Sequence, residues 1–237
     1  TIRNDILNEC GWDYTQIKTY DDNKENIAQL KQFINACDDI PSFEKDDFII
    51  AADGGLSFLK SHDIKPDLIL GDFDSYDGNM AHLALKSELI TYPVEKDDTD
   101  TMLAIKLSLA RGYDHIVIVC ALGGRMDHLI ANIQSLHYIA SNGGVGEIVS
   151  AREHLRTLSS RDGAFKVALR DGYSLSLFAL TDKVMGLSIK GCKYDVENVT
   201  LTSNFPLGHG NSILCEEATI SIESGVLLVV ESSKCDE

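Results

Sequence analysis

The sequence is short of basic residues. Its 237 residues include 21 lysines and arginines against 37 aspartates and glutamates, and its formal net charge is −16. This balance argues against a nucleic acid as partner, because phosphate backbones are bound by basic patches. It does not argue against a free nucleotide, since a cation held by carboxylates supplies the positive charge that phosphates need.

The sequence also lacks several motifs. None of the six cysteines forms a Cys-x-x-Cys pair, so a reducing compartment is expected, without a thiolate metal site or a disulfide framework. There is no apolar segment of membrane-spanning length and no signal-peptide pattern, so we expect a cytoplasmic protein that does not bind membranes. The sequence contains no P-loop run Gly-x-x-x-x-Gly-Lys-[Ser/Thr] and no nucleophile-elbow run Gly-x-Ser-x-Gly. P-loop enzymes and serine hydrolases of the α/β-hydrolase type are therefore excluded.

Residues 47–150 alternate short apolar segments with segments of helical pattern. Strands are predicted over residues 48–52, 68–70, 89–92 and 115–121. Helices are predicted over residues 54–62, 80–87, 99–110 and 127–140. Such an alternation indicates βαβ units and a parallel sheet. Cys120 falls inside the last of these strands and is expected in the core.

The pattern changes after about residue 160. No helical period appears there, and glycines separate strand-like segments at residues 165–168, 173–180, 184–189, 199–202, 218–222 and 226–231. This is typical of an antiparallel sandwich or barrel. The predicted fold class is α/β, with an N-terminal parallel-sheet α/β domain (1–155) followed by a C-terminal antiparallel β-sandwich domain (156–237). The boundary is placed in the polar stretch 150–163.

Two aspartates follow the strand predicted over residues 68–70. The run GDFDS at residues 71–75 begins where that strand ends. Open α/β sheets bind ligands at the carboxyl ends of their strands, and Mg²⁺ takes one or two carboxylates together with substrate phosphates. Asp72 and Asp74 are therefore candidate metal ligands. A polar turn rich in aspartate explains the same run without a metal.

A glycine turn follows the first predicted strand. Asp53, Gly54 and Gly55 open the next helix, whose bare N–H groups suit a phosphate or a ribose. Asp53 as an ordinary helix cap is the alternative.

A second glycine turn, at residues 123–124, follows the strand 115–121 and precedes Arg125 and Asp127. The rigid guanidinium fork of Arg125 matches phosphate oxygens. Asp127 either pairs with Arg125 or binds a base or a hydroxyl, and the simpler alternative is an exposed ion pair of little energetic value.

An acidic cluster opens the helix predicted over residues 99–110. Asp97, Asp98 and Asp100 lie there beside Lys96. The helix dipole accounts for one or two of these carboxylates, and Asp98 or Thr99 is the expected cap. A third carboxylate facing Asp72 and Asp74 would complete a metal site. Because neighbouring parallel strands end at one edge of a sheet, all four segments are expected to line one cleft.

In their order and spacing, these segments resemble the thiamine pyrophosphokinase family. The resemblance rests on residues 53–55, 66–75, 97–100 and 123–128 and runs from about residue 48 to the end. It implies an α/β domain followed by a β-sandwich domain, and transfer of the pyrophosphoryl group of ATP to the hydroxyl of thiamine, with Mg²⁺ as cofactor. The products are thiamine diphosphate and AMP. It also implies a homodimer in which thiamine lies between the α/β domain of one subunit and the β domain of the other.

The resemblance implies a role for each matched residue. The magnesium ligands are Asp72, Asp74 and Asp100, and Arg125 joins them as a catalytic residue. The nucleotide contacts are Asp53, Gly54, Gly55, Arg125 and Asp127. The loop approaching both substrates contains Lys96, Asp97 and Thr99. In the β domain, residues 191–194 resemble a Gly-x-Lys-Tyr turn, and Asn211 and Ser212 fall in the thiamine-binding segment. Gly210 and Ser212 stand where Ser and Glu are common.

Two alternative functions are also compatible with these residues. A pyrophosphokinase acting on a pterin alcohol has the same needs at the metal and the phosphates. A non-catalytic sensor of nucleotide or thiamine can use the same scaffold, since fold does not dictate function.

Asp97 or Asp98 is the candidate general base.

Overall fold

The structure is a computed structural model that describes residues 47–52, 54–71, 87–93, 97–122 and 125–234. Four predicted site residues lie outside these ranges: Asp53, Asp72, Asp74 and Lys96. The helix predicted over residues 80–87 also lies outside them, except for its last residue. No helix within the described ranges is long and apolar enough to span a membrane.

The chain divides into two compact units. The first comprises the described residues up to Tyr113 and those of Cys120–Asn132. The second comprises Asp114–Val119 and the described residues from Ile133 onward.

In the described part of the first unit, three short parallel strands form a sheet. They are β1 (Ile50–Ala52), β2 (Leu68–Gly71) and β3 (Glu88–Thr91), in the order β1-β2-β3. Residues 68–70 of β2 are completely buried, as expected for a parallel strand that is covered on both faces. The predicted parallel sheet is confirmed for these strands.

Two described helices alternate with these strands. Helix α1 (Gly55–Ser61) follows β1, and helix α2 (Asp100–Ala110) follows β3. Arg111, just beyond α2, donates two hydrogen bonds to the Glu88 carboxylate on β3, at 2.9 and 2.7 Å. This bidentate pair links the C-terminal end of α2 to the strand that precedes it.

The strand β4 (His115–Val119) pairs in parallel with β5 (Val145–Val149), and helix α3 (Met126–Ser141) connects them. Among the described strands, β4 belongs to a six-stranded sheet and not to the sheet of β1, β2 and β3. The prediction that all four motif-bearing strands share one sheet is therefore wrong for β4. Gly146 and Glu147 interrupt the apolar pattern of β5, so the sequence does not predict the strand with which β4 pairs.

The second unit contains a β-sandwich. Its six-stranded sheet has the order β11-β8-β13-β6-β5-β4 and is antiparallel except for the β4–β5 pair, and its four-stranded sheet β10-β9-β12-β7 is antiparallel. The strands after β5 are β6 (Glu153–Ser159), β7 (Phe165–Ala168), β8 (Tyr173–Ala179), β9 (Lys183–Lys190), β10 (Val196–Thr202), β11 (Gly208–Asn211), β12 (Glu217–Ser221) and β13 (Val226–Ser233). Apolar side chains from both sheets form one core, and the predicted antiparallel sandwich is confirmed.

Strand β6 occupies the polar stretch in which the sequence places the domain boundary. It is nevertheless a central strand, paired with β13 on one side and β5 on the other. His154 donates from Nε2 to Glu147 on β5 at 2.7 Å, and its Nδ1 lies 3.3 Å from a carboxylate oxygen of Glu231 on β13. Arg156 also donates to Glu147. The polar side chains of β6 are thus paired across the sheet, which is why a strand with little apolar pattern is stable there.

The β6 polar cluster consists of Glu147, His154, Arg156, Glu231 and His115, whose Nε2 lies 2.8 Å from Glu147. Burial opposes the ionisation of Glu147, but hydrogen bonds from His154 and His115 outweigh it, and the pKa of Glu147 falls to about 2. Hydrogen bonds to Glu147 and Glu231 raise the pKa of His154 to about 9. At neutral pH the cluster therefore holds an ionised Glu147 and a protonated His154.

Candidate functional site

The start of helix α2 carries two predicted site residues. Thr99 is the helix cap: its Oγ1 accepts a hydrogen bond from the backbone N–H of Met102 at 3.1 Å. Asp100 is the first residue of the helix, where the dipole favours a negative charge. The hydroxyl of Thr99 thus fixes the point at which α2 begins, and with it the position of Asp100.

The neighbouring aspartates differ in their surroundings. Both carboxylate oxygens of Asp98 accept hydrogen bonds from the Lys106 ammonium, at 2.8 and 2.7 Å. Asp97 is exposed. The loop before α2 therefore presents Asp97 to solvent, while Asp98 is held by an ion pair within the unit.

The strands β2 and β3 end side by side, and two predicted metal ligands follow β2 in the sequence. Gly71 pairs with Thr91, and the N–H of Tyr92 donates to the Gly71 carbonyl at 3.1 Å. Asp72 follows Gly71 in the sequence, and Asp74 is two residues further. Three aspartates are hard oxygen donors of the kind that Mg²⁺ prefers, so this set fits a magnesium ion. Within the described ranges, no group of three His, Cys, Asp or Glu side chains is arranged to hold a metal ion.

Helix α1 begins at the first glycine turn. Gly54 is its N-cap, and no side chain accepts a hydrogen bond there. Among the described residues, no atom outside the two chain neighbours of Gly55 and the backbone of its own helix lies within 4 Å of the position that a Cβ would take there. The described part of the turn therefore leaves room for a close ligand, and the role of these glycines in nucleotide binding stays a prediction.

Arg125 and Asp127 form an exposed ion pair. The guanidinium donates to the two carboxylate oxygens at 3.0 and 2.5 Å, and the side chains are 71% and 62% exposed. The hydrogen bond from Arg125 lowers the pKa of Asp127, and the same bond raises the pKa of Arg125. Because exposed ion pairs contribute little to stability, a phosphate oxygen can replace Asp127 as the partner of the guanidinium at small cost.

Two further residues, which no sequence motif marks for this role, shape the chain directly after β4. Cys120 has φ of 57°, a left-handed conformation that is uncommon outside glycine, so the strand ends at Val119 and the predicted strand over 115–121 is two residues too long. Asn132 on α3 donates from Nδ2 to the Ala121 carbonyl at 2.8 Å. Strained backbone of this kind occurs often at functional sites.

In the β-sandwich, the turn 191–195 and the segment 208–212 are in contact. The N–H of Lys193 donates to the Ser212 carbonyl at 2.8 Å. Gly191 has φ of +91°, and a Cβ there would lie 2.7 Å from the Glu217 carbonyl oxygen, so only glycine fits. The turn presents the Tyr194 ring, which is 59% exposed, with the Lys193 ammonium 5.3 Å from the ring centroid. The turn that resembles Gly-x-Lys-Tyr therefore lies beside the segment that resembles the thiamine-binding one.

Comparison with protein families matches both parts of the chain. Residues 41–144 match the model described as thiamin pyrophosphokinase, catalytic domain. Residues 164–227 match the model described as thiamin pyrophosphokinase, vitamin B1 binding domain. The two models follow one another along the chain, and the second covers both the turn 191–195 and the segment 208–212.

Individual proteins agree with the family models. A thiamine pyrophosphokinase of Bacillus subtilis is 27% identical over 186 residues, which cover 78% of this chain and 86% of that protein. A crystal structure of thiamine pyrophosphokinase from Bacillus subtilis matches 81% of this chain and 90% of its own with a TM-score of 0.72 at 24% identity. A structure of a family protein from Enterococcus faecalis matches 83% of this chain and 93% of its own with a TM-score of 0.69 at 29% identity. The chain therefore belongs to the thiamine pyrophosphokinase family.

Proposed function

We propose that this protein transfers the pyrophosphoryl group of ATP to the hydroxyl of thiamine, yielding thiamine diphosphate and AMP, and that it requires Mg²⁺. The observation that carries the proposal is that the catalytic and the vitamin B1 binding domains of the family match the chain in order. In this proposal residues 1–155 bind ATP and the metal, residues 156–237 bind thiamine, and the protein acts in the cytoplasm.

The chemistry asks the protein mainly to position its substrates and to neutralise charge. The thiamine oxygen bonds to the β-phosphorus of ATP, the bond from that phosphorus to the oxygen bridging the α-phosphate breaks, and AMP takes up that oxygen. Asp72, Asp74 and Asp100 would hold the Mg²⁺, which when bound withdraws charge from the phosphate oxygens. Arg125 donates to phosphate oxygens in place of Asp127, and Lys96 offsets further negative charge.

The attacking hydroxyl must also lose its proton. Asp97 is the better candidate for this general base, because both oxygens of Asp98 already accept hydrogen bonds from Lys106. Asp97 has no such partner among the residues that the structure describes, so its carboxylate is the more available acceptor for the hydroxyl proton.

The first test is an assay for AMP release from ATP, Mg²⁺ and thiamine, with a pterin alcohol as the competing acceptor. We expect AMP and thiamine diphosphate in equal amounts, dependence on Mg²⁺, and no product from the pterin alcohol. Product from the pterin alcohol alone would reassign the acceptor. Binding of ATP and thiamine without AMP would instead indicate a sensor.

We also propose that the active protein is a homodimer in which thiamine lies between subunits. Four large apolar side chains of the β-sandwich are more than half exposed: Tyr194, Phe205, Leu207 and Leu214. Exposed apolar side chains that form one contiguous patch often mark a protein interface, so these four are the candidates for contact with the second subunit. We expect sedimentation to show a dimer, and specific activity to fall on dilution in step with its dissociation. A fully active monomer would contradict the proposal.

A further inference from the structure

Asn211 binds the backbone of Tyr194 with both ends of its side-chain amide. Its Oδ1 accepts a hydrogen bond from the Tyr194 N–H at 3.1 Å, and its Nδ2 donates to the Tyr194 carbonyl at 3.0 Å. The same Oδ1 also accepts from the Ser212 N–H at 2.9 Å. Asn211 is only 7% exposed, so these bonds are shielded from water. Its polar atoms are thus directed at the turn 191–195.

This turn is fixed at its other residues as well. The N–H of Cys192 donates to Oδ1 of Asp195 at 2.8 Å, and the N–H of Leu214 donates to the Gly191 carbonyl at 2.9 Å. Asn211 supplies a further contact at Tyr194, whose side chain is the large apolar one that this turn exposes. The backbone of Tyr194 is held on both its donor and its acceptor, while its ring stays open to solvent.

We infer that Asn211 is a positioning residue, which acts on the acceptor substrate through Tyr194 by holding that ring where it contacts the thiamine. The inference rests on the proposed function. It adds that Tyr194 contacts the thiamine, whereas Asn211 orients Tyr194. An exposed tyrosine face attracts organic cations, and thiamine carries a positively charged thiazolium ring. The Lys193 ammonium lies 5.3 Å from the ring centroid, a cation–π contact of the kind inferred for the thiazolium ring.

Only an amide side chain of this length makes the observed contacts. An aspartate keeps the acceptor for the two N–H groups but has no donor for the Tyr194 carbonyl, and an alanine makes none of the bonds. The variants Asn211→Asp and Asn211→Ala therefore form a graded series. Asn211→Asp also keeps the test usable if the alanine variant does not fold.

The test is a double-mutant cycle on thiamine binding, measured by calorimetry with Asn211→Ala, Tyr194→Ala and the double variant. We expect each single variant to weaken the thiamine Kd about 10-fold, as the loss of one or two hydrogen bonds or of a cation–π contact allows. The double variant is expected to match Tyr194→Ala alone, because Asn211 acts through that ring. The Kd for ATP should not change.

Two further measurements separate positioning from general destabilisation. Hydrogen exchange at the Tyr194 amide should accelerate in Asn211→Ala and less in Asn211→Asp. Thr157→Val is the control, because it removes buried hydrogen bonds to the Gly146 backbone in the same unit without touching the turn. It should lower the melting temperature and leave the thiamine Kd unchanged.

If the losses of thiamine affinity in the two single variants add up in the double variant, the inference is overturned. Such a result would indicate that Asn211 contacts thiamine directly. An unchanged Kd in Asn211→Ala, or the absence of thiamine binding by the native protein, would overturn it too. Failure of the proposed function is a separate result. It shows as thiamine binding without AMP release, and in that case the binding cycle still decides the role of Asn211.

Discussion

Asp100→Asn is expected to lower kcat about 100- to 1000-fold with ATP and thiamine, a loss typical of removing one group that stabilises transition-state charge. The physical reason is that a neutral amide at the first residue of α2 would replace one of three carboxylates proposed to hold Mg²⁺. The fold should survive, because an amide has the same shape and Thr99 still caps the helix. The measurement is AMP release at saturating substrates, repeated across a range of Mg²⁺ concentrations.

Asp63→Asn is the matched control for this variant. Asp63 is an exposed residue of the same unit, and its φ of 56° is a conformation that asparagine accepts well. The same chemical change there should leave kcat and the Mg²⁺ requirement unaltered. An Asp100→Asn protein with near-native kcat and an unchanged Mg²⁺ requirement would remove Asp100 from the proposed metal site.

The second large effect concerns stability. Glu147→Gln is expected to lower the free energy of unfolding by about 2–3 kcal/mol, somewhat less than the roughly 3–5 kcal/mol typical of breaking a buried ion pair. The reason is that the variant leaves His154 and Arg156 without their shared carboxylate, although these side chains keep 28% and 23% exposure. Urea unfolding at pH 7, followed by circular dichroism, measures the change.

Glu217→Gln is the control for this prediction. Glu217 pairs with Lys166 at 2.5 Å on the same unit, but the two side chains are 48% and 64% exposed. Exposed pairs contribute at most about 1 kcal/mol, so this variant should be almost neutral. Equal effects of the two substitutions would show that the β6 polar cluster has no special role in stability.

The same cluster sets a pH dependence of stability. The pKa of His154 rises from 6.5 to about 9 on folding, so its contribution is complete below pH 6.5 and is lost as pH rises through 9. The pKa of Glu147 falls from 4.5 to about 2, so its contribution is complete above pH 4.5 and is lost as pH falls towards 2. The stability gap between the native protein and Glu147→Gln should therefore be widest near pH 5–6. A gap that does not change with pH would contradict this.

Local patterns predicted much of the first unit. The apolar run in β2 is buried at every residue from 68 to 70, because a parallel strand covered on both faces needs no alternation. The helix predicted over residues 99–110 begins at Asp100, directly after Thr99, since the threonine hydroxyl caps the first turn. In both cases the signal lies within a few neighbouring residues of one segment.

The features that local sequence patterns did not predict depend on interactions with residues distant in the sequence. Strand β6 looks like a polar boundary because its stabilising groups, Glu147 and Glu231, lie on other strands. The sequence motif identifies Asn211 as a candidate site residue. It does not predict the hydrogen bonds between the Asn211 side chain and the backbone of Tyr194.

The sequence by itself determined the class of chemistry: acidic residues and glycine turns at strand ends, in the order of one family, followed by a β domain. Only the tertiary structure decided that β4 pairs with β5, that a polar strand lies in the middle of a sheet, and that Asn211 holds Tyr194. The physical reason is the range of the interactions. Caps, turns and buried apolar runs are local, whereas the pairing of strands and of buried polar groups depends on which distant segments the fold brings together.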